Sequence, residues 1–122
     1  MTISSRATYE ARLLICSTCT GMRNRLAEEQ ALRSALQQAE LTRQVRLEFG
    51  GCVNACPEPV AIGLQGKGRA SYVFSGIDLV QDADDIAATC QVYIGAAKGW
   101  IVDARACGRL RDCLRARLPS LP

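Results

Sequence analysis

Apolar and polar positions alternate in several short windows of this chain and recur at helical spacing in others. Tyr9–Ile15 ends in Leu13-Leu14-Ile15 and reads as a first strand. Met22–Thr42 has no Gly or Pro, is rich in Ala, Leu, Glu, Gln and Arg, and carries a ragged apolar stripe through Met22, Leu26, Ala31, Leu32, Ala35, Leu36 and Ala39; it reads as a helix. Val45–Phe49 sets Val45, Leu47 and Phe49 against Arg46 and Glu48, the period-two signature of a strand. Val60–Leu64 and Ala70–Phe74 read as two strands joined by the turn Gly66-Lys67-Gly68-Arg69. In Asp82–Ala97 the residues Ile86, Cys90, Tyr93, Ile94 and Ala97 keep three-to-four spacing behind an acidic start, which reads as a helix that Gly99 stops. Ala106–Leu118 places Leu110, Cys113, Leu114 and Leu118 on one helical face and predicts a further helix.

The predicted order is β-α-β-β-β-α with an extra C-terminal helix, an α/β arrangement. A helix between the first two strands implies a right-handed parallel crossover, and the last two strands form a hairpin. This is the thioredoxin-like order. The length of 122 residues suits one domain, expected over 9–118, with tails at 1–8 and 119–122.

Composition changes the picture in three ways. The 48% hydrophobic fraction fits a folded globule. No apolar run approaches the length of a membrane span, and Leu13–Ile15 is too short for a secretory signal, so a cytoplasmic protein without membrane attachment is expected. The net charge of +3 hides an uneven distribution. Arg105, Arg109, Arg111, Arg115 and Arg117 crowd the C-terminal end, while Asp78, Asp82, Asp84 and Asp85 cluster at a helix start. Both clusters read as solvated faces. With few aromatics and no recognisable nucleic-acid motif, nucleic acid is not an expected partner.

The chemistry lies in the cysteines. There are seven, with no histidine. Four form two close pairs, Cys16-Ser-Thr-Cys19 and Cys52-Val-Asn-Ala-Cys56, each following a predicted strand. If those strands are parallel neighbours, both pairs leave from the same end of the sheet, as ligands do in open α/β sheets. A site built there without histidine would be all-sulfur, which points to an iron–sulfur cluster or a four-cysteine zinc. A thiol–disulfide pair at Cys16 and Cys19 is the competing reading, but it needs no second pair. The N-terminal N–H groups of the first helix, near Thr20–Arg23, would face the negative charge of such a centre. Gly21, Gly50 and Gly51 would let backbone approach the sulfurs. Cys90 and Cys113 read as core residues, and Cys107 is open between core and surface. Trp100 reads as a core plug for the C-terminal arm. Pro59 stands before the third strand, where a cis bond is one option. No nucleophile–base pair or phosphate loop appears, so no substrate-transforming enzyme is expected.

The segment Gly51-Cys52-Val53-Asn54-Ala55-Cys56-Pro57-Glu58-Pro59-Val60-Ala61-Ile62 resembles the thioredoxin-like [2Fe–2S] ferredoxins and the small iron–sulfur subunit of respiratory NADH dehydrogenase. The stretch Gly68–Asp78 looks like their second hairpin strand. The whole chain, including Gly99-Trp100-Ile101-Val102 and the Arg-rich tail, more closely resembles an uncharacterised bacterial family of small, cysteine-rich, predicted metal-binding proteins. The resemblance implies that Cys16, Cys19, Cys52 and Cys56 hold a [2Fe–2S] cluster in a one-electron carrier. It also implies a homodimer and redox partner proteins, a reductase and an acceptor. Members of the second family often lie near cobalamin-synthesis genes, which implies service to cobalt or corrinoid reduction. The better-known relatives usually have more than two residues between the first two cysteines. The tighter spacing here keeps zinc and [4Fe–4S] open beside [2Fe–2S].

Overall fold

The structure is a computed structural model and describes residues 9–15, 25–50 and 60–120. Its elements are β1 (Ala11–Ile15), α1 (Arg25–Gln38), β2 (Val45–Phe49), β3 (Ile62–Gln65), β4 (Ser71–Phe74), α2 (Ala83–Gly95), 3-10 segments at Ala97–Gly99 and Arg105–Cys113, and β5 (Leu114–Leu118). The five strands form one sheet in the order β2-β1-β3-β4-β5. β1 and β2 run parallel, with Ala11 opposite Val45 and Ile15 opposite Phe49. The other neighbours are antiparallel. The thioredoxin-like order predicted from the alternating windows therefore holds from β1 through α2.

Side-chain alternation gives the sheet two unlike faces. Ala11, Leu13 and Ile15 of β1 are buried on one face, with Ile62 and Leu64 of β3 and Tyr72 and Phe74 of β4. Leu32 and Leu36 of α1 and Ile86 and Cys90 of α2 join the same apolar cluster, so both helices cover that face. Arg12 and Gln65 point to the opposite face and are exposed. There Arg12 pairs with Glu48 at 3.3 Å and contacts the Gln65 amide, and Arg46 pairs with Glu48 at 2.9 Å. Burying a side chain such as Leu13 or Ile15 contributes about 1.5–3 kcal/mol each, so the covered face holds the fold.

The C-terminal end departs from the predicted helix. Over Ala106–Leu118 the chain instead makes a 3-10 segment and then a strand. Gly108 breaks the helical path, with φ 61° and ψ −132°. Its α-carbon sits so close to α2 that an added Cβ would fall 2.4 Å from the Asp85 carboxyl carbon. Leu114–Leu118 then pairs with β4, Ser71 opposite Leu118 and Tyr72 opposite Arg117, with an irregularity between Val73 and Phe74. Leu110 and Cys113 are buried as the pattern required, but Leu118 is 64% exposed on the edge strand.

The arm between α2 and β5 is tied down by Tyr72. Its hydroxyl donates to the Gly99 carbonyl at 2.9 Å and accepts from the Ile101 N–H at 2.8 Å. The Ala70 N–H donates to the Lys98 carbonyl at 2.7 Å. Gly99 turns here at φ +70°, against Tyr93 and Arg69, where a Cβ would meet atoms at 2.7–2.8 Å.

Candidate metal centre

The parallel pairing of β1 and β2 fixes where the two cysteine pairs begin. Ile15 is the last residue of β1 and pairs with Phe49, the last of β2. The Gly50 N–H then donates to the Ile15 carbonyl at 3.1 Å, so the two strands part side by side. Cys16 follows Ile15 directly in the chain, and Cys52 follows Gly50 by two residues. Gly50 leaves β2 at φ +151°, a conformation that L side chains avoid.

The return path reaches the same sheet end. Ile62, the first residue of β3, lies opposite Ile15 across the antiparallel pair. Val60 ahead of it exchanges two backbone hydrogen bonds with Ile77, at 3.1 and 3.2 Å. Gly50, the last described residue before the second cysteine pair, thus lies beside β1 on the β2 side, and Val60, the first described residue after it, lies on the β3 side. Those anchors are two strand spacings apart, roughly 10 Å. The chain bearing Cys52 and Cys56 is anchored on both flanks of β1, whose last residue Ile15 directly precedes Cys16 in the sequence. The side chains of Cys16, Cys19, Cys52 and Cys56 lie outside the described residues, as do Gly21, Gly51, Pro59 and Thr20–Arg23.

The polarity of α1 fits an anionic centre at that end. Residues 39–44 carry the chain from Gln38 to the start of β2, and Leu41 is bonded back to both the helix and Val45. The C-terminal end of α1 is therefore at the opposite edge of the sheet. Fourteen residues of helix rise about 21 Å, enough to return the N-terminal end to the edge where β1 and β2 finish. A helix N-terminus carries partial positive charge, which favours bound thiolates nearby.

The other three cysteines are free thiols buried in the core. Burial, and then the neighbouring Cys107, pushes the Cys90 thiol up to about 12. Cys113 is also raised by burial, against the opposing pull of Arg109. Thiols held protonated at neutral pH are poor ligands and poor nucleophiles. Cys107, open between core and surface from the sequence, is buried. Among the described residues no three His, Cys, Asp or Glu side chains gather around a common point that could hold a metal.

Two charged features differ from their sequence reading. The acidic cluster and the Arg-rich tail meet through Arg109, which joins Asp82 and Asp85, while Asp78, Asp84, Arg105, Arg111, Arg115 and Arg117 are exposed as expected. Asp82 is buried, and Arg109 grips its carboxylate through Nε at 3.0 and 3.2 Å and Nη2 at 2.7 Å. The hydrogen bond from Arg109 holds the Asp82 carboxyl below its ordinary value, against the cost of burial. The Arg109 N–H donates to Asp85 at 3.0 Å, and its Nη2 also reaches the Gly76 carbonyl at 2.6 Å. Asp78 accepts from the Val80 and Gln81 N–H groups at 3.0 and 2.9 Å, and Asp82 accepts from the Asp78 N–H at 2.9 Å, which organises the start of α2. Trp100, expected as a core plug, is 39% exposed and lies 3.8 Å beneath the Arg117 guanidinium carbon. Sequence reasoning missed both pairings, because their partners are 27 and 17 residues away and no local pattern joins them.

A family model described as "Protein of unknown function (DUF1636)" matches residues 13–120. The chain belongs to the DUF1636 family. Among curated proteins none matches it in sequence. Two solved structures of a thioredoxin-like [2Fe–2S] ferredoxin from Aquifex aeolicus are similar to the DUF1636 chain. One aligns with a TM-score of 0.48 and 16% identity, over 64% of this chain and 76% of its own. The other, the wild type at 1.5 Å, aligns with a TM-score of 0.51 and 12% identity, over 88% of this chain and 98% of its own. At that identity the second likeness shows a shared fold, an α/β thioredoxin-like one.

Proposed function

We propose that this protein is a one-electron carrier that holds a [2Fe–2S] cluster through Cys16, Cys19, Cys52 and Cys56. One observation carries the reading: the pairing of Ile15 with Phe49 sends both cysteine-bearing segments off adjacent parallel strands at one sheet end. The donor set fits the group. Four thiolates with no histidine in the chain are what a cluster of this type requires. The tight Cys16-x2-Cys19 spacing is also the spacing of structural zinc sites, and this keeps a four-cysteine zinc module as the second reading.

When bound, the cluster supplies reversible one-electron redox chemistry. The chain's own residues supply the frame. Ile15, Ile62 and Phe74, all buried, form an apolar floor across the sheet end and limit water on that side. Gly50 tolerates the sharp exit from β2, and the N-terminal end of α1 contributes favourable potential. Ligation would occupy Cys16 and Cys19, so neither could attack or resolve a disulfide.

The role implies protein partners, a reductase and an acceptor, and a reducing, cytoplasmic setting in which thiols stay available. Among the described residues no helix is long and apolar enough to cross a membrane. By resemblance the carrier pairs as a homodimer and serves reduction of a cobalt or corrinoid intermediate. The test is the visible spectrum and metal content of protein purified without oxygen. Red-brown protein with two irons and two acid-labile sulfides per chain supports the reading. Colourless protein with one zinc per chain replaces it with the zinc module.

A further inference from the structure

A second feature lies beneath β4 and β5, at the edge of the sheet opposite β2. A cavity of about 100 Å³ opens between the sheet, α2 and the C-terminal arm. Tyr72, Phe74, Ile101 and Leu110 give it an apolar lining, and Thr89 and Cys107 complete the wall. The Thr89 hydroxyl is committed to the Asp85 carbonyl at 2.8 Å, and the Tyr72 hydroxyl to Gly99 and Ile101. The interior therefore suits hydrocarbon.

The mouth is different. Arg111 and Arg117 both line the cavity and both are exposed, and no Asp or Glu lines it. Arg117 is fixed by its cation–π contact with Trp100, and its guanidinium makes no hydrogen bond among the described residues. Arg111 makes none either. The nearby Asp103 is held by Arg105 through contacts of 2.6, 2.9 and 3.1 Å. Arg117 thus meets no carboxylate among the described residues, Arg111 feels Asp103 only through space, and the two guanidiniums rim an apolar hole; a guanidinium fork matches a carboxylate.

Size narrows the ligand. An apolar cavity of about 150 Å³ accepts benzene, six carbons, so about 100 Å³ accepts about four. We propose that this cavity is a binding site for a short-chain monocarboxylate, its hydrocarbon against Tyr72, Phe74, Ile101 and Leu110 and its carboxylate on Arg111 and Arg117. The site is independent of the metal centre and stands whichever metal that centre holds.

Equilibrium dialysis of the full chain against radiolabelled butyrate tests it, with acetate, butyramide and inorganic phosphate as competitors. Six heavy atoms support binding in about the 0.1–10 mM range. Saturable binding of one butyrate per chain is expected, with each competitor at least about tenfold weaker. Arg117→Gln changes an exposed side chain and should weaken butyrate at least about tenfold. Ala104 also lines the cavity, so Ala104→Leu should block it, and Arg117→Gln carries the test alone if that variant does not fold. Several outcomes overturn the proposal: acetate or phosphate equal to butyrate, which marks a nonspecific anion site; butyramide equal to butyrate, which removes the arginines' role; full affinity in Arg117→Gln; or no saturable binding by about 10 mM.

Discussion

Gly108→Ala offers a quantitative test of how the C-terminal arm is built. The residue sits at φ 61° and ψ −132°, a region open to glycine and closed to side chains. Forcing alanine there costs about 1–3 kcal/mol in backbone strain alone. The new Cβ would also lie 2.4 Å from both Cγ and Oδ1 of Asp85, so the carboxylate must move. That movement breaks the 3.0 Å bond from the Arg109 N–H, a hydrogen bond to a charged acceptor worth about 1.5–3 kcal/mol at most, and less at this half-exposed position. The sum is about 3 kcal/mol. For a chain of this length that is roughly a 10 °C fall in melting temperature. Urea unfolding followed by far-UV circular dichroism measures it, with Asp85→Ala as the partner variant. Asp85→Ala alone removes the bond and should cost about 1 kcal/mol. In the double variant the clash is absent, so the combined loss should fall short of the sum by about 1 kcal/mol or more. A loss under about 0.5 kcal/mol in Gly108→Ala, or strict additivity, would refute the close approach of the arm to α2.

Other outcomes follow from the same contacts. The Asp82 carboxyl titrates below its ordinary value of 3.8, so its contribution is full well above that pH and is lost as pH falls through the folded value. Asp82→Asn should therefore flatten the acid limb of a stability–pH curve below about pH 4 and lower stability at pH 7, and an unchanged limb contradicts the Arg109 pairing. Single Cys→Ala changes at 16, 19, 52 or 56 should strip iron from the purified protein, whereas Cys90→Ala, Cys107→Ala and Cys113→Ala should keep it; iron loss in a well-folded Cys107→Ala protein would reassign the ligands. Light scattering at tens of micromolar should give twice the 13.2 kDa chain mass, and a monomer mass removes the homodimer.

Most of the sheet was legible because its strands are short, amphipathic and locally specified. Val45–Phe49 was bounded correctly from strict alternation, and α2 was placed by its apolar residues at helical spacing, although it ends at Gly95, ahead of the expected stop at Gly99. The C-terminal end was not, because Leu110, Cys113 and Leu114 fit helical spacing as well as they fit the real structure. The usable signals were Gly108 inside the window and the alternation in Leu114-Arg115-Ala116-Arg117-Leu118. The Arg109–Asp82 pair and the Arg117–Trp100 contact arise only once β5 returns to β4, so no window of sequence contains them. At the candidate metal centre the sequence supplied the residue types and spacing, and the parallel register of β1 with β2 adds the shared origin of the two segments.

The most direct test of the electron-carrier account is a reductive titration of anaerobically purified protein, followed by low-temperature EPR. One electron should be taken up per cluster, with an S = 1/2 signal that integrates to one spin per two irons and disappears on reoxidation. An EPR-silent, iron-free protein that reduces insulin disulfides, and loses that activity in Cys16→Ser but not in Cys52→Ser, would contradict it.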